Sequence, residues 1–289
     1  MPSASIGALL SECGIEAREA RLMLARACAI ETAIIAAFPE RTVASDAATR
    51  FRQWVRRRRS GEPVAYIVGE REFFGRCFTV SPAVLIPRPE TELLVECAIE
   101  HAGATARPRV LDLGTGSGIV AITLACELPA ASVTAVDSSG EALAVARRNG
   151  DALAPDRVEF LLSDWFSRLA GRRFDLIVGN PPYVALGDAH LGEGDVRFEP
   201  QAALVGGSDG IECIDAITVT AARYLDVGGW LLLEHGFDQG EAVRGRLLRA
   251  GYESVRTWRD LEKRERVSGG RLDIALHSQP GAANRPDLQ

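Results

Sequence analysis

At 289 residues, with 47% hydrophobic and 25% charged residues, the chain has the make-up of an ordinary globular protein and the length of two domains, or of one large domain with an appendage. Its 33 Lys and Arg against 39 Asp and Glu leave a formal net charge of -6, which argues against a protein that wraps duplex nucleic acid, although a local basic patch stays possible. No apolar run approaches the ~18 residues of a membrane helix, Met1 to Gly14 lacks the pattern of a signal peptide, and the scattered cysteines and histidines show no metal-ligand spacing. A cytoplasmic protein with free thiols and no metal is expected.

Taken in order, the stretch from about Ile6 to Ile67 reads as short helices with almost no strand signal. Leu9, Leu10 and Cys13 share a face, Gly14 stops that helix, Ala17 to Ala29 continues at helical spacing, and Asp46 opens a longer helix carrying Phe51, Trp54 and Val55. A helical bundle over residues 1–70 is predicted. Arg56 to Arg59 is its one charge run, either a solvated helix end or a docking patch for an acidic partner. Glu72 to Val80 and Val84 to Ile86, separated by Ser81-Pro82, predict a β-hairpin inside a linker over residues 71–90. The prolines of Pro87-Arg-Pro-Glu-Thr91 end that strand, Thr91 can cap a helix running to His101, and the rigid turn can also serve as the wall of a site.

From Val110 onward strand-like and helix-like segments alternate, the mark of a parallel sheet covered on both faces, so the fold class is α/β with a sheet domain over residues 91–277. The closing strands are expected at Ser254 to Trp258 and Leu272 to His277. Residues 278–289 are polar and Pro/Gly-rich and read as a disordered tail. The Gly, Asp and Glu of Gly187 to Phe198 predict a mobile loop, a lid or simply solvated surface.

In such sheets ligands bind at the carboxyl ends of the strands, where the order reverses. The first strand ends in Asp112-Leu-Gly-Thr-Gly-Ser-Gly118, and Gly114, Gly116 and Gly118 allow a sharp turn and a close approach to the backbone. A dinucleotide fingerprint would need its third glycine at Ile119. The observed spacing, with Thr115 and Ser117 between the glycines, is instead that of S-adenosylmethionine loops. Asp137 closes the second strand and can accept ribose hydroxyls. At the third strand end Asp164 can accept an adenine amino group while Trp165 packs on or near the ring. Alone, each of these aspartates would more simply cap a helix.

The fourth strand end is Phe174-Asp-Leu-Ile-Val-Gly-Asn-Pro-Pro-Tyr-Val184. Asn180 and Pro181 each precede a proline, which drives both out of the helical region, while the prolines fix their own φ. The turn is therefore stiff. Asn180 Oδ1 and the Pro181 carbonyl can accept both protons of a planar NH2 group, with Pro182 beside them and Tyr183 as an aromatic surface for stacking. In isolation a two-proline strand exit is an equally good reading.

The chain resembles the bacterial protein-(glutamine-N5) methyltransferases that modify peptide-chain release factors, the PrmC/HemK family. The likeness rests on Glu62-Pro-Val-Ala-Tyr-Ile-Val-Gly69, Glu72-Phe-Phe-Gly75, Leu85-Ile-Pro-Arg-Pro-Glu-Thr-Glu92, Asp112 to Gly118, Asp164-Trp165, Asn180 to Tyr183, Glu199-Pro-Gln-Ala-Ala-Leu204 and Gly207-Ser-Asp-Gly210. Glu90 stands where many relatives have Asp. The resemblance implies a Rossmann-like class I methyltransferase sheet with an N-terminal helical bundle joined by a β-hairpin. It implies that Gly114 to Gly118, Asp137, Trp165 and Asn180 contact S-adenosyl-L-methionine, and that Asn180 to Tyr183 receive a glutamine of the Gly-Gly-Gln motif of class-1 release factors. A monomer without direct nucleic-acid contact is expected. The rival readings are a DNA or RNA amino-methyltransferase and a cofactor-binding scaffold without chemistry.

Overall fold

The computed structural model describes residues 4–103 and 105–272. Five helices come first, α1 (Ile6–Glu12), α2 (Ala17–Cys28), α3 (Thr32–Ala37), α4 (Ser45–Arg59) and α5 (Val64–Val68). Leu9, Met23, Leu24, Ile35, Phe51 and Val55 are buried together in a core of their own. Helices α3 and α5 escape a periodicity reading because six and five residues cover too few turns to show one. The arginine run at the end of α4 is neither a bare solvated end nor a free docking patch. Arg57 pairs with Glu62, Arg58 grips Glu19 of α2 with two hydrogen bonds and reaches Asp195 with a third, and Arg59 donates to the Cys13 carbonyl.

The hairpin is shorter and earlier than the sequence suggests. Strands β1 (Glu70–Phe73) and β2 (Arg76–Thr79) pair antiparallel, and Phe74-Gly75 makes the turn with φ of 50° and 70°. Two consecutive positive φ values give the two-residue turn whose twist matches a hairpin. Val84 to Ile86 is not a strand. Val84 and Ile86 are buried against Tyr66, Val80, Ala142 and Val145 at the junction between the helical bundle and the sheet, while Leu85 lines a cavity. Side chains satisfy the segment's backbone, since Tyr66 Oη donates to the Val84 carbonyl at 2.6 Å and the Ile86 N–H donates to Glu199 at 3.4 Å.

The main sheet is built from β3 (Arg109–Leu113), β4 (Ser132–Asp137), β5 (Val158–Leu162), β6 (Phe174–Gly179), β7 (Leu225–Glu234), β8 (Tyr252–Arg259) and β9 (Glu265–Leu272). Its order is β5-β4-β3-β6-β7-β9-β8, parallel from β5 to β7 and antiparallel at β9 and β8. The helices are α6 (Glu92–Ala102), α7 (Ile119–Glu127), α8 (Gly140–Leu153), α9 (Glu212–Ala221) and α10 (Gly240–Arg249). Strand side chains alternate between faces. Val110, Leu176, Val178 and Leu232 pack with α6 and α7, whereas Leu111, Leu113, Ile177, Leu231 and Leu233 pack with α9 and α10. Strand β9 already begins at Glu265, ahead of the expected start at Leu272. The remainder of the expected strand, 273–277, and the expected tail, 278–289, lie outside the described residues.

Chain order steps outward from β3 to β4 and β5, then returns to the other side of β3 with β6. That reversal opens a crevice between the carboxyl ends of β3 and β6. Register brings the loops level: Leu113 pairs with both Val136 and Gly179, and Asp137 pairs with Leu162.

Candidate active site

A cavity of about 290 Å³ fills the crevice, lined by Gly114, Thr115, Gly116 and Ser117 after β3, Asp137 at the end of β4, and Asp164 and Trp165 after β5. Asn180 and Pro182 close it from β6. Gly118, Pro181 and Tyr183 are not among the lining residues. Gly118 (φ 85°) caps α7, and a Cβ there would sit 2.7 Å from Ile122 Cδ1, so this glycine serves packing. Pro181 is buried.

The glycine loop is held from below by Asp112. Its Oδ2 accepts from Thr115 Oγ1 at 2.6 Å and from the Ala121 N–H at 3.2 Å. Full burial pushes this carboxyl up to about 7, the two hydrogen bonds pulling the other way. Asp137 braces the loop from the side, accepting from the Gly116 N–H at 2.8 Å and the Ser139 N–H at 2.9 Å. Each oxygen keeps a second lone pair for a hydroxyl. Gly116 (φ 56°) has open space where a Cβ would stand, so the loop presents bare backbone to the cavity. Trp165 adopts φ 43°, unusual for a bulky residue. Ser163 Oγ donates to its carbonyl at 2.8 Å, and its ring lies 3.5 Å from the position a Gly114 Cβ would take, roofing the glycine loop.

At β6, Asn180 Nδ2 donates to the buried Thr91 Oγ1 at 3.3 Å, which leaves Oδ1 for the cavity. Thr91 thus serves Asn180 rather than capping α6, where its side chain makes no cap hydrogen bond. Tyr183 is turned away from the expected stacking position. Its ring packs on the α9 and α10 side of the core, its hydroxyl donates to Glu234 Oε1 at 3.4 Å, and its carbonyl accepts from Gln239 Nε2 at 2.9 Å. The residue pins the turn at both ends.

The opposite wall is Pro87-Arg88 together with the segment after residue 199. Arg88 Nη2 lies 2.5 Å from Glu199 Oε1. Burial pushes the Glu199 carboxyl above the usual range, against the pull of Arg88. From Glu199 the chain returns onto the Asn-Pro-Pro-Tyr turn, Val184 N–H donating to the Leu204 carbonyl and Gly206 N–H to the Val184 carbonyl, each at 2.9 Å. Within the 187–198 segment, Asp195 is tied to Arg58 of the helical bundle.

Reading residues singly misses Asn149, Thr91, Glu199 and Gln239, all of which act across long sequence distances. Buried Asn149 joins three elements, accepting from the Thr79 N–H and donating to the Thr79 and Ser117 carbonyls. The sequence signal for Thr91 and Glu199 was the Pro-Arg-Pro-Glu-Thr-Glu and Glu-Pro-x-x-Ala-Leu motifs, which carry no role until the fold joins them. Among the described residues no cluster could hold a metal ion, and no helix is long and apolar enough to cross a membrane.

A doubly wound sheet whose switch-point cavity joins a bare G-x-G-x-G loop, an acidic strand end and an Asn-Pro-Pro turn defines a class I methyltransferase. The Methyltransferase small domain family matches residues 89–193, and the PrmC N-terminal domain family matches residues 4–69. A release factor glutamine methyltransferase of Pseudomonas aeruginosa is 51% identical, covering 87% of this chain and 91% of its own. One from Escherichia coli is 46% identical, covering 88% and 91%. Among solved structures, a methyltransferase from Pyrococcus furiosus shares the fold at a TM-score of 0.53 and 19% identity, covering 76% of this chain and 98% of its own. The chain belongs to the release factor glutamine methyltransferase family.

Proposed function

We propose that the chain transfers a methyl group from S-adenosyl-L-methionine to the side-chain amide nitrogen (N5) of the glutamine in the Gly-Gly-Gln motif of class-1 peptide chain release factors, leaving S-adenosyl-L-homocysteine and supporting translation termination. It acts as a monomer in the cytoplasm. The observation that carries this reading is the register that sets the glycine loop, Asp137 and Asn180 around one cavity.

The residues present fit the donor. The bare Gly116 backbone admits a close neighbour, the free lone pairs of Asp137 suit ribose hydroxyls, and the Trp165 wall suits a flat ring beside Asp164. When bound, this cofactor supplies an electrophilic methyl group on a sulfonium. Asn180 Oδ1 and the Pro181 carbonyl accept the two N–H groups of the glutamine amide, which orients its nitrogen and favours the pyramidal, nucleophilic form. No strong base is required, since the proton leaves after the nitrogen has become cationic. Stiffness is the contribution of Pro181 and Pro182, and Tyr183 holds the turn from behind. The helical bundle helps to hold the protein partner.

The test is labelled-methyl transfer to purified class-1 release factors, with a factor whose motif glutamine is replaced as control. Label in the intact factor alone is the expected result. Equal label in the control, or none in either, overturns the reading.

A further inference from the structure

Asn149 is 2% exposed and lies on the face of α8 that packs against the glycine loop, one turn beyond Ala146, whose Cβ is 3.3 Å from where a Gly118 Cβ would stand. Its Oδ1 accepts from the Thr79 N–H at 2.8 Å, while Nδ2 donates to the Thr79 carbonyl at 3.0 Å and to the Ser117 carbonyl at 2.9 Å. Both Nδ2 protons are thereby committed. The Thr79 N–H decides which way the amide faces, because a flipped amide would set Nδ2 against that donor. On one side Asn149 completes the last residue of β2 as a neighbouring strand would. On the other it holds a carbonyl of the glycine loop.

That carbonyl matters because of what the rest of Ser117 presents. The loop is pinned elsewhere by Thr115 N–H to the Val136 carbonyl at 2.9 Å, Gly116 N–H to Asp137 at 2.8 Å and Gly118 N–H to the Thr115 carbonyl at 2.8 Å. The Ser117 carbonyl and the Gly118 N–H belong to one planar peptide, so Asn149 and the Thr115 carbonyl hold it from opposite ends. Ser117 lines the cavity and is 2% exposed, yet its N–H and its hydroxyl have no hydrogen-bond partner among the described residues. A buried donor without a partner is costly, and these are the loop's donors left for a ligand.

We propose that Asn149 is a positioning residue for the cofactor: it holds the Ser117–Gly118 peptide so that the free Ser117 N–H and hydroxyl face the cavity, and it ties their position to the end of the β-hairpin. Neither Asn149 nor Thr79 lines the cavity, so the path from the hairpin to the cofactor runs through Ser117. Next along the chain from Thr79, the Val80 N–H donates to the Gly69 carbonyl at 3.0 Å, which brings the end of α5 into the same linkage. Coupling of this kind is reciprocal. Cofactor held by the Ser117 peptide steadies the Asn149 amide and the Thr79 pair, and loss of Asn149 weakens the cofactor.

The full chain is compared with Asn149→Ser and with Asn149→Asp, which keeps an acceptor for the Thr79 N–H but turns an oxygen toward two carbonyls. Tyr252→Phe is the control for stability alone, since it removes a buried hydroxyl that donates to the Thr218 carbonyl at 3.2 Å away from the cavity. Calorimetric titration with S-adenosyl-L-homocysteine should show about tenfold weaker binding in both Asn149 variants. Tyr252→Phe should lose thermal stability and keep its affinity. Amide hydrogen exchange read by NMR supplies a second measurement on the wild type. There S-adenosyl-L-homocysteine should slow exchange at the Thr79 N–H more than at the amides that pair β8 with β9, and the excess should vanish in Asn149→Ser. Unchanged affinity in both Asn149 variants, an equal loss in Tyr252→Phe, or no excess slowing at Thr79 in the wild type overturns the proposal. Should both Asn149 variants fail to fold, the wild-type exchange at Thr79 decides. Neither measurement uses a release factor, so the outcome is separate from the reading of the substrate.

Discussion

Asn180 is where the proposed chemistry concentrates, because it lines the cavity and its hydrogen bond to Thr91 uses Nδ2, which leaves Oδ1 for a substrate. Asn180→Ala should lower kcat by about 100-fold or more, the loss typical of removing a preorganised hydrogen-bonding group. Calorimetric binding of S-adenosyl-L-methionine should remain measurable, since the glycine loop and Asp137 are untouched. Near-normal turnover in that variant would defeat the acceptor role. Asp112 makes a different kind of prediction. Its folded pKa lies above its unfolded one, so its contribution to stability is complete below about pH 4 and is lost as pH rises through about 7. Asp112→Asn, which keeps an oxygen for Thr115 and Ala121, should flatten the fall of Tm between those limits relative to wild type. Parallel Tm profiles in a thermal denaturation series would contradict the assignment.

At the scale of elements, the site is an assembly of strand exits locked by segments remote in sequence. The return of residues 199–207 onto the Asn-Pro-Pro-Tyr turn depends on Gly206, where an added Cβ would meet the Pro182 carbonyl oxygen at 2.3 Å and the Gly210 carbonyl oxygen at 2.8 Å. Backbone lies on both sides, so neither neighbour can give way cheaply. Gly206→Ala should destabilise the fold by about 1–3 kcal/mol, read by denaturant unfolding, and should depress kcat by displacing the turn. Unchanged stability and turnover would show that the segment does not brace the turn. The hairpin shows the same logic with the opposite outcome for prediction. Its register follows from a local turn at Phe74-Gly75; Ser81-Pro82 makes a turn too, the Val84 N–H donating to the Ser81 carbonyl at 3.1 Å, but Val84 and Ile86 beyond it are buried against Tyr66 instead of pairing as a strand.

Across the whole molecule, the contacts that fasten the helical bundle to the rest of the chain include the buried Tyr66 contact with the Val84 carbonyl and the Arg58 link from Glu19 to Asp195. Arg58 joins α2, α4 and the 187–198 segment, and its planar fork serves carboxylates on two sides. Arg58→Ala should therefore speed proteolytic cleavage within residues 187–198, and Arg58→Lys should not restore protection, since an ammonium cannot reproduce the fork. Cleavage at the wild-type rate in both variants would show that the loop is held by other means.

The sequence by itself determined the alternating strand-helix order, the glycine loop, and the rigidity of the Asn-Pro-Pro turn, because each follows from side-chain period, missing Cβ atoms or proline geometry within a few residues. It also carried the family likeness in motifs such as Pro-Arg-Pro-Glu-Thr-Glu. Only the tertiary structure decided that Tyr183 faces Glu234 instead of the cavity, that Thr91 serves Asn180 instead of its own helix, and that three arginines of the Arg56 to Arg59 run are bound inside the molecule. Those outcomes depend on partners brought close by strand register and domain docking, and a polar side chain takes whichever buried partner the fold delivers, which no local pattern encodes.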